Sequence, residues 1–145
     1  LPIFEALSGE RMAKIADFFV IRTLERGEAL WHEGSQAHSY AFIVSGHVKI
    51  CKLHEDGRET ILGVFGEGEP VGHVAVYRRI AFPASAVALS DVCVAEIQRV
   101  HMCGLMHEDP DLMEAILFGM MEWINGKLTS TGSPSAVSAA RRRWR

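Results

Sequence analysis

The sequence predicts a mainly β domain, an antiparallel roll of short strands with flanking helices, followed by a long C-terminal helix that pairs two subunits. Three observations lead to this fold class. Apolar and polar residues alternate over short runs in the middle of the chain, glycine turns separate those runs at fairly regular intervals, and helical spacing returns in the last third. With 145 residues, 48% of them hydrophobic, the chain is large enough to bury one core.

The first elements are a helix and short strands. The segment SGERMAKIADFF, which begins at Ser8, predicts an amphipathic helix because its apolar residues share one helical face; these residues are Met12, Ile15, Ala16 and Phe19. After this helix the period of the pattern changes to two. The stretch FVIRTLERGEALWHEGS (19–35) indicates short strands separated by glycines.

The hairpin signals lie in the middle of the chain. Two β runs, Tyr40–Val44 and Val48–Leu53, flank a Ser-Gly turn, and an Asp-Gly turn then precedes the run ETILGVF. The run SAVALSDVCVAEI (85–97) predicts further strands beyond a glycine-rich loop. These short strands and turns favour an antiparallel roll.

The last third predicts two helices. The segment QRVHMCGLMHEDP (98–110) is the first, and Asp109 and Pro110 provide the N-cap and first residue of the second. The second helix is apolar on nearly every side, with one stripe of Leu112, Ile116, Gly119 and Trp123 and another of Met113, Leu117, Met120, Ile124 and Leu128.

A helix that is apolar all round must bury more than one face. We therefore expect one stripe to pack on the β-roll and the other on the same helix of a second subunit, with a homodimer as the result. The residues expected at this dimer interface are Leu112, Ile116, Gly119, Met120 and Trp123. The alternative is a helix that is enclosed within one subunit.

The charge distribution argues against a nucleic-acid-binding body. The formal net charge is −3, but four arginines lie at the end of the chain: Arg141, Arg142, Arg143 and Arg145. Without them, 11 basic residues stand against 18 acidic ones. An acidic body offers no electrostatic footprint for DNA or RNA.

Several function classes find no support in the sequence. Cys51, Cys93 and Cys103 include no CxxC pair, which argues against a disulfide framework and an iron–sulfur site. No GxSxG, HExxH or P-loop motif is present, so an enzyme is not expected. No apolar run approaches the ~18 residues of a membrane span, and the first residues lack the order of a secretory signal. We expect a cytoplasmic protein with no membrane partner.

The order of elements resembles the effector domain of the cyclic-AMP receptor protein/FNR family of transcription regulators. The resemblance covers residues 1–128 and depends most on YAFIVSGHVKICKLHEDGRETIL (40–62) and on the G-E-x-x-G motif from Gly68 to Gly72. It implies a β-roll, a small-molecule effector, a homodimer and a C-terminal helix-turn-helix that binds DNA. Residues 129–145 would then be a linker and the start of that DNA-binding unit, which this chain does not complete.

In nucleotide-binding members of this family, the loop after G-E-x-x-G holds the cyclic phosphate. Helix N-terminal N–H groups and an arginine bind the phosphate, and a glutamate binds the ribose. Here His73 stands in the glutamate position, and no arginine is in register within FPAS (82–85). The effector is therefore expected not to be cyclic AMP. The resemblance places the effector pocket at Gly68, Glu69, Gly72, His73, Val74, Arg78, Arg79, Phe82, Pro83, Ala84 and Ser85.

Two alternatives for the ligand stay open. Arg78 or Arg79 could replace the missing arginine in a stand-alone cyclic-nucleotide-binding module, although the simpler interpretation is that both are solvent-exposed residues at a loop tip. The segment FPASAVALSDV (82–92) also resembles the loop of family members that respond to nitric oxide or oxygen, some of which bind haem, and His73 would then be the metal ligand. Trp31 and Phe82 could instead fill the pocket. The histidines and methionines of HMCGLMH (101–107) are further haem-ligand candidates, although the methionines are expected in the core and the histidines on the surface.

Overall fold

Two antiparallel sheets of four strands each enclose the main core. The computed structural model describes residues 2–5 and 7–130. The strands are β1 Val20–Leu24, β2 Ala29–Trp31, β3 Ser39–Ser45, β4 Val48–Leu53, β5 Glu59–Phe65, β6 Pro70–Val71, β7 Ser85–Ala88 and β8 Val92–Gln98. One sheet has the order β1-β8-β3-β6 and the other β2-β7-β4-β5. This arrangement confirms the predicted β-roll.

The alternation of the strands explains the core between the sheets. Inward residues of both sheets form one buried cluster, with Ile43, Val48, Ala86 and Val94 all fully excluded from solvent. Burial of each valine or isoleucine side chain stabilises the fold by about 1.5–3 kcal/mol. The predicted glycine turns are present, since Gly46 joins β3 to β4 with φ 88°.

Helices flank the two sheets. After a 3₁₀ helix at Pro2–Phe4 come α1 Gly9–Ala16, α2 His73–Arg78, α3 Arg99–Glu108 and α4 Pro110–Ser130. Ser8 caps α1, where its Oγ accepts a hydrogen bond from the Arg11 N–H at 3.3 Å. As predicted, Asp109 caps α4: its Oδ1 accepts from the Leu112 N–H at 3.3 Å. Arg11 pairs with Asp109 at 2.8 Å, and this hydrogen bond lowers the pKa of the Asp109 carboxyl.

The inner stripe of α4 packs within the subunit. Leu112 is 1% exposed, and a Cβ at Gly119 would overlap the backbone carbonyl of Ile3 in the 3₁₀ helix. Ile116, Met120 and Trp123 pack against the same cluster of N-terminal and α3 residues. The stripe expected at the dimer interface is therefore directed inward, because the N-terminal segment covers it.

A second stripe of α4 remains exposed. About half of each of its large apolar side chains is open to solvent: Met113, Leu117, Phe118, Met121 and Ile124. This stripe, and not the Leu112 stripe, is the face of α4 that a second subunit could cover.

The C-terminal segment, membrane spans and metal sites are also the subject of predictions from the sequence. Thr129 and Ser130 continue α4, and the rest of the expected linker and C-terminal unit (131–145) lies outside the described residues. Within 2–5 and 7–130, no helix has the length and hydropathy needed to cross a bilayer. The same part of the chain contains no group of three or more His, Cys, Asp or Glu side chains that could hold a metal ion.

Candidate functional site

The candidate site is a cavity beside the first turn of α2. This helix begins directly after β6, with Gly72 as its N-cap at φ 70°. A side chain at Gly72 is excluded by space as well as by backbone conformation, since a Cβ there would lie 2.6 Å from Trp31 Cη2 and 2.8 Å from Phe82 Cε1. The close approach of these rings to the backbone defines one wall of the cavity.

The cavity has a volume of about 220 Å³ and is almost entirely apolar. Six of the predicted pocket residues line it: Gly72, His73, Val74, Phe82, Pro83 and Ala84. The other lining residues are Trp31, Ile50, Leu62, Phe65, Pro70, Val71 and Ala75. Sequence reasoning named Trp31 only as a possible plug and missed the others. Leu62 and Phe65 are three residues apart, so strand alternation alone does not place them on one face, and the register of β4 with β5 shifts between Ile50 and Cys51.

Two stacked aromatic rings dominate the wall next to Gly72. The rings of Trp31 and Phe82 lie 4.0 Å apart between centroids and are tilted by only 9°. Trp31 is fixed further because its indole N–H donates to the Ala84 carbonyl at 2.8 Å, and Phe82 is 6% exposed. The first turn of α2, which in principle favours an anion, thus faces a hydrophobic wall.

His73 is the polar side chain of the cavity. Burial lowers the pKa of its imidazole, so the neutral form is favoured. Its Nδ1 is buried and has no hydrogen-bond partner among the described residues. The ring meets that of Trp123 on α4 edge to face, with centroids 6.1 Å apart and an interplanar angle of 86°. His73 therefore touches both the cavity and the long helix.

A second contact joins α4 to the same region. Lys127 pairs with Glu69 at 2.9 Å and lies 5.4 Å from the centroid of the Phe65 ring, which lines the cavity. Glu69 Oε2 and Trp123 Nε1 are also buried without a hydrogen-bond partner among the described residues. The cavity wall is thus linked to α4 by the contact of Lys127 with Phe65 and by that of Trp123 with His73. Glu69, a predicted pocket residue, does not line the cavity but pairs with Lys127 next to it.

The remaining predicted pocket residues lie elsewhere. Gly68 turns the chain before β6, and its N–H donates to the Ile43 carbonyl at 2.7 Å. Ser85 Oγ accepts from the Glu33 N–H at 2.8 Å. Arg78 and Arg79 are exposed at the opposite end of α2, and neither lines the cavity. Arg79 instead borders a separate groove with Arg99.

The residues present do not fit a haem. The cavity has a volume of about 220 Å³, which is smaller than the roughly 300–1,000 Å³ of ordinary small-molecule sites. A haem is a large ligand and needs more space than this. The other candidate ligands lie on α3 and away from the cavity: Met102 is buried in the helical core, and His101 packs against the Phe18 ring at 4.9 Å between centroids.

Comparison with known proteins places this geometry in a family. The model of the family described as "Cyclic nucleotide-binding domain" matches residues 21–109. The chain belongs to the cyclic nucleotide-binding domain family. The predicted resemblance to effector domains of that kind is therefore confirmed.

Named relatives come from regulators of different types. The cAMP-dependent protein kinase regulatory subunit of Mycosarcoma maydis is 33% identical over 94 residues, which cover 63% of this chain and 18% of the relative. The cyclic AMP receptor protein of Thermus thermophilus is 26% identical over 109 residues, covering 75% of this chain and 50% of the relative. The chain thus spans half or less of these two relatives.

One solved domain matches this chain over nearly the whole length of that domain. The N-terminal domain of a transcriptional regulator from Streptomyces coelicolor superposes with a TM-score of 0.71 at 26% identity. The match covers 88% of this chain and 91% of that domain.

Proposed function

We propose that this domain is the effector-sensing part of a dimeric transcription regulator and that its effector is not a cyclic nucleotide. The observation that carries the second point is the uncharged cavity at the start of α2, where Trp31 and Phe82 form the wall. The likeness to the N-terminal domain from Streptomyces coelicolor and to the cyclic AMP receptor protein of Thermus thermophilus supports the first point.

A cyclic nucleotide would bring a phosphate into this cavity without a counter-charge. Hydrogen bonds to charged groups contribute about 1.5–3 kcal/mol each, so the lack of a bidentate arginine weakens binding by roughly a hundredfold or more. Desolvation of the phosphate against aromatic rings adds to the loss. His73, held neutral by burial, supplies no positive charge in compensation.

The chemistry of the lining defines the class of effector. The cavity suits a small and mostly apolar molecule with one hydrogen-bonding group for the His73 imidazole, which is part of the lining. Depending on its tautomer, a neutral imidazole nitrogen either donates or accepts, so a hydroxyl or a carbonyl could satisfy it.

The signal would pass from His73 to α4. An effector that binds one orientation of the His73–Trp123 pair more tightly shifts the population of α4 positions. The exposed stripe of α4 would transmit this shift to a second subunit, and a DNA-binding unit beyond the described residues would receive it.

Calorimetric titration with cyclic AMP and cyclic GMP tests the ligand class. We expect no saturable binding by the wild-type chain. The double variant His73→Glu/Pro83→Arg, which supplies the two missing charges, is expected to bind cyclic AMP at least about a hundredfold more tightly than the uncharged control His73→Gln/Pro83→Ala. Saturable micromolar binding by the wild type would contradict the proposal and would support the stand-alone cyclic-nucleotide module instead.

Analytical ultracentrifugation tests the dimer. We expect the wild-type chain to sediment as a dimer and Leu117→Glu, which places a charge in the exposed stripe, to sediment as a monomer. Glu122→Lys changes an exposed charge outside this stripe and is the matched control, which we expect to remain dimeric. A wild-type monomer at every concentration would contradict this part of the proposal.

A further inference from the structure

A second concavity lies at the other end of α2. Loop residues 36–38, Arg79 and the start of α3 (98–100) surround a groove of about 520 Å³, which is within the range of ordinary small-molecule sites. We call it the basic groove. It shares no lining residue with the apolar cavity described above.

Two arginines supply its charge. Arg99 is partly buried: its Nη2 donates to the Tyr77 carbonyl at 3.4 Å, and its Nε is buried without a partner among the described residues. Arg79 is held at the rim by its backbone, which has φ 57° and whose N–H donates to the carbonyls of Ala75 and Val76. His38 faces the same groove.

No carboxylate lines the basic groove within the described part of the chain. Glu96 lines the adjoining cavity, but it pairs with Arg22 at 3.6 Å. Other arginines also have carboxylate partners, as Arg11 has with Asp109 and Asp111, whereas neither Arg79 nor Arg99 pairs with a described one. On a body with an excess of acidic residues, this is a local concentration of unneutralised positive charge.

We propose that the basic groove binds the phosphate group of a small anionic metabolite. Two guanidinium groups, those of Arg79 and Arg99, suit the tetrahedral oxygens of a phosphate. The side-chain amides of Gln36 and Gln98 add donors, and Val100 offers an apolar surface to the rest of the molecule. The start of the ten-residue helix α3 contributes a favourable dipole.

This site does not depend on the function proposed for the apolar cavity. In nucleotide-binding relatives the phosphate is expected at the start of the helix that corresponds to α2, whereas the basic groove lies at its end. The result of a binding experiment on the basic groove therefore neither supports nor contradicts the function proposed for the apolar cavity.

Titration followed by NMR tests the proposal, with the full chain labelled to observe the Nε–H signals of arginine. The probes are phenyl phosphate and inorganic phosphate, with malonate as a carboxylate comparison and chloride at matched ionic strength as the background. We expect saturable shifts at Arg79 and Arg99 with the two phosphates. Arg79→Asn, which tolerates a positive φ, and Arg99→Gln are each expected to weaken binding at least about tenfold.

The matched control is Arg78→Gln. Arg78 is exposed on the same helix but does not line the groove, so its loss is expected to leave the affinity unchanged. If Arg99→Gln unfolds because its bond to Tyr77 is lost, Arg79→Asn still decides the question. The proposal would be overturned by shifts that do not saturate, or by shifts that chloride reproduces. It would also be overturned if only malonate produced the shifts, or if Arg78→Gln abolished them as strongly as the groove variants do.

Discussion

The two ends of α2 differ in chemistry although only six residues separate them. At the start, Gly72 and His73 line a cavity with the stacked rings of Trp31 and Phe82, and no charged side chain of the described residues lines it. At the end, Arg79 borders a groove that contains a second arginine and no carboxylate among the described residues. The fold provides both concavities, but the side chains decide which of them can take an anion.

Removal of the ring at the apolar end is expected to have the largest effect. Phe82→Ala deletes a buried side chain that stacks on Trp31, and we expect a loss of about 3–5 kcal/mol in the free energy of unfolding. Arg79→Asn at the basic end removes only an exposed side chain, and we expect a change within about 0.5 kcal/mol. Urea unfolding of the two variants measures the difference. Similar losses at both ends would mean that Arg79 is a structural residue.

A methyl group at Gly72 is expected to have the next largest effect. Gly72→Ala forces a Cβ against the rings of Trp31 and Phe82 at a positive φ, and we expect destabilisation by about 1–3 kcal/mol. Gly104→Ala is the matched control, because a Cβ at this exposed position of α3 meets nothing within 4 Å. It should stabilise the chain by about 0.5–1 kcal/mol. A neutral Gly72→Ala would show that the rings can move apart, and hence that the cavity can open.

The sequence predicts the strands and turns well because their signals are local. The alternation in β3 and β4 and the glycine turn between them depend on neighbouring residues only. The faces of α4 are different, since both stripes are apolar. What decides between them is the packing of Gly119 on Ile3, a contact between the two ends of the described chain that no local pattern reveals.

The lining of the cavity also depends on contacts between distant parts of the chain, which local patterns do not predict. Phe82 and Pro83, which stand where the resemblance would place the arginine, line the cavity. Arg78 and Arg79 are exposed, as expected of residues at a loop tip, but their exact place depends on where α2 ends and on the left-handed backbone at Arg79. Their remoteness from the cavity is therefore a result of three-dimensional geometry and not of spacing.

At the apolar end of α2, His73 is expected to make the stability of the fold depend on pH. Burial lowers the pKa of its imidazole in the folded state, so below the unfolded value near 6.5 the unfolded chain binds more protons than the folded chain. The stability that depends on neutral His73 is thus fully present above about pH 6.5, and it is lost as the pH falls through the pKa of His73 in the folded state. We expect His73→Gln to flatten the fall in urea midpoint between about pH 7.5 and about pH 5.5. The exposed His32→Gln is the control, and an unchanged slope in His73→Gln would contradict the expectation.

The smallest effect is expected at the ion pair between the cavity region and α4. Glu69→Gln removes the charge that faces Lys127 at 2.9 Å, but the two side chains are 19% and 39% exposed, so solvent screens much of the attraction. We expect a loss of about 0.5 kcal/mol that shrinks as the salt concentration rises. Glu67→Gln, an exposed neighbour before β6, is the matched control in the same urea titrations. A loss above about 2 kcal/mol that does not depend on salt would mean that the pair behaves as a buried one. In that case α4 would be held at the cavity mainly by Glu69 and Lys127, and the transmission route through His73 and Trp123 would be secondary.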